Sequence, residues 1–391
     1  MKKKLYYFLK KYEPLFTKGG RFEQMAPAYN AFYTFLFTPE YTTQKGAHIR
    51  SAVDLKRVMI IVVMALIPAL IFGIWNTGHQ YYIQAVEAGL EQNVTWLDEF
   101  LLGLKKVLPL IIVSYVVGLG IEFYFAIKRG HEVNEGYLVT GMLIPLIMPV
   151  EIPLWILAVS VAFAVIFGKE VFGGTGMNIV NPALVARAFA FFAYPSTMSG
   201  NQVWVPFADK YDAISGETIL GMLAQGKQVP WSWWDMFVGT IPGSVGETSF
   251  LMIMSGALLL LFTKVGSWRI MIPGFLGGIF MGLLFNLWGA NALMQFPWWQ
   301  HLLVGGFAFG IVFMATDPVT AAQTRLGKII YGFLIGMFAI LIRVLNPAYP
   351  EGMMLAILLM NVVAPTIDYF VVEANVKKRM KRKLKLNKQT A

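Results

Sequence analysis

Five ionisable residues stand where hydrocarbon is expected: Glu122 inside an apolar stretch, Glu170 and Arg187 flanking a glycine-rich turn, Asp317 at the end of another stretch, and Asp368 interrupting the last. Placing such a residue in a bilayer costs roughly 2.5 to 3.5 kcal/mol, so it is kept for a polar path or for a partner. Carboxylates here suit a route for a cation or a proton. The structural alternative is pairing, for example of Glu170 with Arg187. Glu122 and Asp368 lie deepest in apolar sequence, which favours the route for those two. Sodium and protons suit carboxylates and carbonyls alike, so residue type does not choose between them.

A second group that carries chemistry is the run Asp212-Ala213-Ile214-Ser215-Gly216-Glu217-Thr218-Ile219-Leu220, in the one long polar connection. Taken locally, it is a turn in which Ser215 or Asp212 caps a short helix. The absence of cysteine removes disulfides, thiolate metal sites and Cys-ligated iron–sulfur clusters. His48, His79, His131 and His301 lack the spacing of a metal site and read as structural or solvated. No Gly-x-Gly-x-x-Gly turn links a strand to a helix, so no nicotinamide-binding domain is evident.

The elements that must hold these residues are membrane helices. Crossing a bilayer takes about 20 apolar residues as helix, because unpaired backbone amides in hydrocarbon cost several kcal/mol each. Apolar stretches fall near 58–76, 107–127, 137–148, 154–168, 181–194, 247–263, 270–288, 299–315, 329–343 and 353–371. With the N-terminus inside, about 26 of the 32 Lys and Arg lie on cytoplasmic segments, so both termini are expected in the cytoplasm. The net charge of +10 is mostly this asymmetry, and its basic clusters suit anionic lipid rather than nucleic acid. The first 20 residues have no continuous apolar core of the signal-peptide kind and should remain on the mature protein, lying on the membrane surface or against another subunit.

The fold class expected is an all-α polytopic membrane protein of about ten helices arranged as a five-plus-five inverted repeat. Asn181-Pro182-Ala183 opens the fifth stretch and Asn346-Pro347-Ala348 precedes the tenth. The third stretch is short, with Pro145 inside it, and the eighth is interrupted by Gly305, Gly306 and Gly310. Broken segments at matching ranks of two halves point to a central site, with two shortened helices covered by neighbours as the alternative. Gly118, Gly120, Gly278 and Gly282 read as helix-packing positions. The expected organisation is a cytoplasmic segment 1–57, a first membrane repeat 58–194, an outer loop 195–246, a second repeat 247–371 and a basic cytoplasmic tail 372–391. Trp204, Trp231, Trp233 and Trp234 in the loop suit a membrane interface. On this topology the five charges lie in the cytoplasmic third and the outer half carries no comparable acids, so a cation would enter from the cytoplasm.

Four motifs carry a resemblance along essentially the whole chain. They are Ser51-Ala52-Val53-Asp54-Leu55-Lys56-Arg57; Gly168-Lys169-Glu170-Val171-Phe172-Gly173-Gly174-Thr175-Gly176 leading to Asn178 and Asn181-Pro182-Ala183; Phe313-Met314-Ala315-Thr316-Asp317-Pro318; and Asn346-Pro347-Ala348-Tyr349-Pro350-Glu351-Gly352. With these the chain closely resembles the B subunits of sodium-translocating NADH:quinone reductases, and next the D subunits of Rnf complexes. About 55 residues before the first span favour the former.

The resemblance implies a subunit of a six-subunit respiratory complex in the bacterial inner membrane, with no catalytic residue of its own and no fixed metal. Electrons from NADH, oxidised by a partner, would pass through covalent FMN and riboflavin to quinone, coupled to export of Na+. A flavin transferase would join FMN to Thr218 through a phosphoester, with Asp212, Ser215 and Gly216 in the recognition pattern. Glu217 departs from that pattern, where alanine is usual, and sets a negative charge beside an incoming phosphate. Asn178 and Asn181 become riboflavin contacts, with capping of the fifth helix as their local alternative. Gly118, Phe189 and Phe191 become quinone-site residues, with plain packing as theirs. Glu122, Asp317 and Asp368 become members of the ion path. The rivals are an Rnf D-like subunit of a ferredoxin:NAD oxidoreductase and a redox-inactive inverted-repeat transporter of small polar solutes.

Overall fold

Ten apolar stretches become ten helical segments in the computed structural model, which describes residues 2–389 except 18, 38–42, 44, 48–54, 92, 131–135, 209–210, 212–213, 347–348 and 350. Among the described residues every regular element is helical. The first half holds α1 (Leu55–Glu87), α2 (Trp96–Arg129), α3 (Tyr137–Ile147), α4 (Leu154–Gly168) and α5 (Pro182–Ala193). In the second half are α6 (Phe250–Phe262), α7 (Trp268–Trp288), the broken α8 (Phe307–Phe309 leading into a π turn, Gly310–Met314), α9 (Arg325–Leu345) and α10 (Met353–Gln389). Among the described residues only α1, α2, α4 taken together with the 3-10 turn to Phe172, α7, α9 and α10 have the length and apolarity for a full crossing, while α3, α5 and α6 are shorter. Partial segments at membrane depth need protein around them, because irregular backbone beside them cannot face lipid.

Hydropathy underestimates α1 and α2, which run well past their apolar stretches. Polar side chains on these overruns are paired rather than loose. Asn76 Nδ2 donates to the Ile241 carbonyl at 3.0 Å, Trp75 Nε1 donates to Glu99 at 2.7 Å, and His79 Nδ1 lies 2.9 Å from Glu99 Oε1. A capping box of Thr95 and Asp98 starts α2, and Gly130 in the left-handed conformation ends it. The overrun of α1 carries the long loop: Tyr81 and Ala85 form a small core with Val205, Ala208 and Ile214. Trp204 is buried there rather than interfacial, whereas Trp233 and Trp234 are exposed.

The two halves share a packing pattern. The second helix of each lies against the fourth, the fourth against the fifth, and α1 packs on α6. Between α7 and α9 the backbones nearly touch: a Cβ at Gly336 would sit 1.9 Å from the Gly274 carbonyl oxygen, and one at Gly277 2.0 Å from that of Phe333. Gly278 faces Phe307, and Gly282 faces Trp298. Gly120 has nothing among the described residues within 4 Å of its Cβ position, so it is not a packing position among them. The basic tail is no separate segment, since α10 continues as one helix to Gln389. Ahead of α1, helices Lys2–Phe16 and Ala26–Leu36 stack Phe16 on Tyr29 with ring centroids 4.7 Å apart, and the second helix rests on α2.

Overpacking a close helix contact costs about 1–3 kcal/mol. Gly336→Leu is therefore expected to lower the thermal midpoint of the detergent-solubilised full chain by several degrees, while Gly120→Leu leaves it within a degree.

Candidate functional site

Helix α5 links two cavities. At 1.5 Å per residue its 12 residues span about 18 Å. Asn181 at its start lines a cavity of about 530 Å³, and Phe191 near its end lines one of about 460 Å³ that contains Thr218. Arg187 lies between them.

The start of α5 is written in Asn181-Pro182. Asn181 Oδ1 accepts from the backbone N–H of Ala183 at 2.9 Å and of Leu184 at 3.4 Å, and Pro182 fits the first helical position, where no N–H is needed. Capping occupies only the oxygen, which leaves the Asn181 amide nitrogen for the cavity. Asn178 Nδ2 donates to the Val180 carbonyl at 3.2 Å, leaving its amide oxygen. Lys169, Thr175, Thr140 and Asp317 share this cavity. The lining thus combines apolar walls with two amides, four threonine hydroxyls, the cations Lys169 and Lys264 and the Asp317 carboxylate, a donor and acceptor set that fits the polar edge of a planar heteroaromatic ring.

Beside that cavity, two ion pairs bind the end of α2 to the end of α4. Lys169 pairs with Glu122, each side chain 4% exposed, and its Nζ lies 5.9 Å from the Tyr137 ring centroid. Arg129 donates to Glu170 Oε2 at 3.0 Å and to the Glu170 carbonyl at 2.8 Å. Glu170 is therefore the partner of Arg129 and not of Arg187, because Arg129 ends α2 beside this turn whereas Arg187 lies within α5 and faces other elements. Asp317 accepts from Val319 N–H at 3.1 Å and from Thr320 Oγ1 at 3.0 Å. Asp368 is half-buried and works as a cap from outside the helix, accepting from Gln323 N–H at 2.5 Å and from the N–H and hydroxyl of Thr324, the residue that opens α9. Of the two carboxylates expected deepest, only Glu122 is buried.

The centre holds charges that sequence reading passed over. Arg187 Nη1 lies 3.0 Å from each Glu247 carboxylate oxygen, and its Nη2 donates to Glu351. These two acids approach the Thr218 end, so the expectation that this half lacks comparable acids does not hold. Glu247 precedes α6 and Glu351 precedes α10, both in short irregular segments where a single acid reads as an ordinary helix flank. Near the end of α9, ahead of Glu351 in the chain, Arg343 is fully buried and donates to the carbonyls of His301 at 2.6 Å and Val304 at 3.0 Å. Those carbonyls are freed because Gly305 and Gly306 both take φ of +66°, a left-handed break that bars α8 from continuing upstream. A Cβ at Gly306 would meet the Glu247 carboxylate at 2.6 Å.

At the other cavity, the cap of helix Ile219–Ala224 is Thr218, not Ser215: Thr218 Oγ1 accepts from Gly221 N–H at 3.2 Å. Ser215 instead pins the loop to α1, its N–H donating to Gln84 Oε1 at 2.7 Å and its carbonyl accepting from Gln84 Nε2 at 3.0 Å. Gly216 N–H donates to the Asn201 carbonyl at 2.7 Å, at a point where a Cβ would press 2.9 Å from Val205 N. Asp212 lies outside the described residues, as do Ser51 to Asp54, Pro347, Ala348, Pro350, His48 and His131. Thr218 keeps room above its hydroxyl because residue 221 is glycine; a Cβ there would stand 3.3 Å from Oγ1. Thr248, at the same end, lines the small cavity next to Thr218, and its buried Oγ1 has no hydrogen-bond partner among the described residues. A half-exposed hydroxyl over a glycine, opening on about 460 Å³, fits a covalently tethered group.

Gly118, Phe189 and Phe191 meet different partners. Gly118 admits the Tyr137 ring, Phe189 stacks on Phe163 at 4.5 Å, and Phe191 meets Tyr349 edge-on at 4.5 Å.

Helices that only partly cross, a glycine break at the start of α8 and buried ion pairs between two cavities define a polytopic membrane protein with a polar interior. The profile of the NQR2, RnfD, RnfE family matches residues 42–377, and the chain belongs to that family. It is 48% identical over 397 residues to the B subunit of the Na(+)-translocating NADH-quinone reductase of Chromohalobacter salexigens, covering 96% of this chain and 95% of that protein. The same-named protein of Ectopseudomonas mendocina is 48% identical over 401 residues, covering 96% and 98%, and that of Klebsiella pneumoniae 45% over 413, covering 97% and 99%.

Breaking a buried ion pair from one side costs about 3–5 kcal/mol, because the other charge is left uncompensated. Arg187→Met strands Glu247 and Glu351 together, so the expected outcome is a loss of most folded protein on size-exclusion chromatography. Adding Glu247→Gln and Glu351→Gln to Arg187→Met is expected to recover part of it.

Proposed function

We propose that this chain is the membrane flavoprotein subunit of a Na+-translocating NADH–quinone reductase. The observation that carries the reading is α5 itself, with an amide-lined cavity at its capped start and the open Thr218 hydroxyl at its far end, in a chain 45 to 48% identical to proteins of that name. Riboflavin would lie against Asn178, Asn181 and Lys169, and FMN would be joined to Thr218 by a flavin transferase. Bound there, the two flavins supply the electron carriage that no side chain of this sequence can. The remaining work falls to the chain. Gln84 and the backbone of Ser215 and Gly216 hold the Thr218 turn on α1, Asn181 fixes the start of α5, and Lys169 keeps a positive charge at the cavity wall while neutralising Glu122.

Both termini would be cytoplasmic, in a bacterial inner membrane, with residues 58–194 and 247–371 as inverted repeats and 195–246 as the outer loop. Shared packing in the two halves and the partial helices α3 and α8 at matching rank support this arrangement. A cation pumped outward against 100 mV needs about 2.3 kcal/mol per charge, which quinone reduction would supply. Glu122, Asp317 and Asp368 would line the ion route, with Glu122 held ready by Lys169. Gly118 would serve the quinone through Tyr137, whose ring it admits beside that pair. Five further subunits would complete the complex, one of them oxidising NADH.

An Rnf D-like role is the second reading, since the matching family includes those proteins. Co-purifying partners separate the two, because an NADH-oxidising FAD protein is a component of the sodium pump alone. In denaturing gels of the native complex, the band of this chain is expected to fluoresce under ultraviolet light. Thr218→Val is expected to abolish that fluorescence and to leave noncovalent flavin in the preparation. A dark native band from an active complex would sink the redox reading in favour of a transporter. Asn178→Leu is expected to remove most of the noncovalent flavin, measured by acid extraction, without dimming the covalent band.

A further inference from the structure

Glu217 directly precedes Thr218, and the structure shows what surrounds it. Its carboxylate receives Lys227 Nζ at 2.8 and 3.0 Å on its two oxygens and Gln225 Nε2 at 2.7 Å. The Thr218 hydroxyl and the Glu217 side chain share one small space: the point above Gly221 where a Cβ would stand is 3.3 Å from Thr218 Oγ1 and 3.9 Å from Glu217 Cγ. Glu217, Thr218, Gly221, Gln225 and Lys227 all line the same cavity. An uncompensated carboxylate in that space would repel a phosphate on Thr218.

We propose that Lys227, which with Gln225 offsets the Glu217 carboxylate, is the phosphate-positioning residue of the Thr218 attachment site in this chain. The inference rests on the reading of Thr218 as the flavin attachment point. An ammonium has three donors, and two are spent on Glu217, which leaves the third for a phosphate oxygen. Lys227 thus cancels the charge that Glu217 introduces and adds a charge-assisted bond to the incoming group. In attachment, Thr218 Oγ1 forms the new O–P bond with a flavin nucleotide carried as a mixed pyrophosphate. The pyrophosphate P–O bond breaks, the nucleoside monophosphate leaves with the bonding pair, and the threonine proton passes to solvent. Neither Glu217 nor Lys227 touches the reacting hydroxyl: Lys227 docks the phosphate, and Glu217 is the opposing charge that Lys227 and Gln225 offset.

The Lys227 side chain is 50% exposed and the pair joins residues of one surface turn, so its removal does little to stability. That makes a double-mutant cycle practicable in the full complex, expressed with its flavin transferase. The readout is covalent flavin fluorescence per unit of this chain after a short induction, when attachment is incomplete. Lys227→Met is expected to lower it at least fivefold, Glu217→Ala to leave it at or above the parental level, and Glu217→Ala/Lys227→Met to restore at least half of it. Lys227→Arg is expected to stay within twofold of the parent. A Lys227→Met band as bright as the parent overturns the proposal. So does a double variant as dim as Lys227→Met, because removing the Glu217 carboxylate would then relieve nothing and there would be no repulsion for Lys227 to cancel. A parental band that is itself dark overturns the reading of Thr218 as well, and is told apart because no variant is needed to see it.

Discussion

The guanidinium of Arg187 joins three elements that lie far apart in sequence: α5, the segment leading into α6 and the segment leading into α10. Its two carboxylate partners give one cation and two anions in an interior where isolated charges are costly, so none of the three can be placed without the others. This fixes how the first half sits against the second. It also fixes the geometry between the cavities, since α5 carries Asn181 at one end, Phe191 at the other and Arg187 between them. Any site at Thr218 and any site at Asn181 therefore share a rigid support rather than two independent loops.

A second constraint depends on the first. Two glycines in the left-handed conformation break α8, and the carbonyls they release would be intolerable in lipid. Arg343 takes them up from α9, while Glu247, held by Arg187, lies against Gly306 where no side chain would fit. The break is thus sealed by one arginine and bounded by the carboxylate of another arginine's pair. Its cost is met by partners inside the protein, which allows irregular backbone at depth.

The electrostatic pattern at the Asn181 cavity has the same character. Glu122 and Glu170 are each matched by a cation from a neighbouring helix end, Lys169 and Arg129, across the junction of α2 and α4. Asp317 and Asp368 are held by N–H and hydroxyl donors of the turn that opens α9. Carboxylates held by fixed partners keep a definite position, which the proposed route for a small cation would require as much as a stable fold does.

Much of the architecture was legible in the sequence because hydrocarbon imposes a length and an apolarity on every helix that meets it. The ten segments, the short α3 with Pro145, the interrupted α8 and the Asn181 cap all follow from local chemistry. The overruns of α1 and α2 did not, because their polar faces are stabilised by partners such as Ile241, Glu99 and Ser215 that are distant in the chain. Glu247, Glu351, Arg343 and Lys227 were likewise invisible as a group, each an ordinary charge beside a turn or a helix end. By itself, then, the sequence determined what is helix, what is lipid-compatible and that Asn181 opens α5, since these depend on neighbours within a few positions. Only the tertiary structure decided which charge meets which, because pairing across a low-dielectric interior is settled by distances between helices that no local pattern encodes.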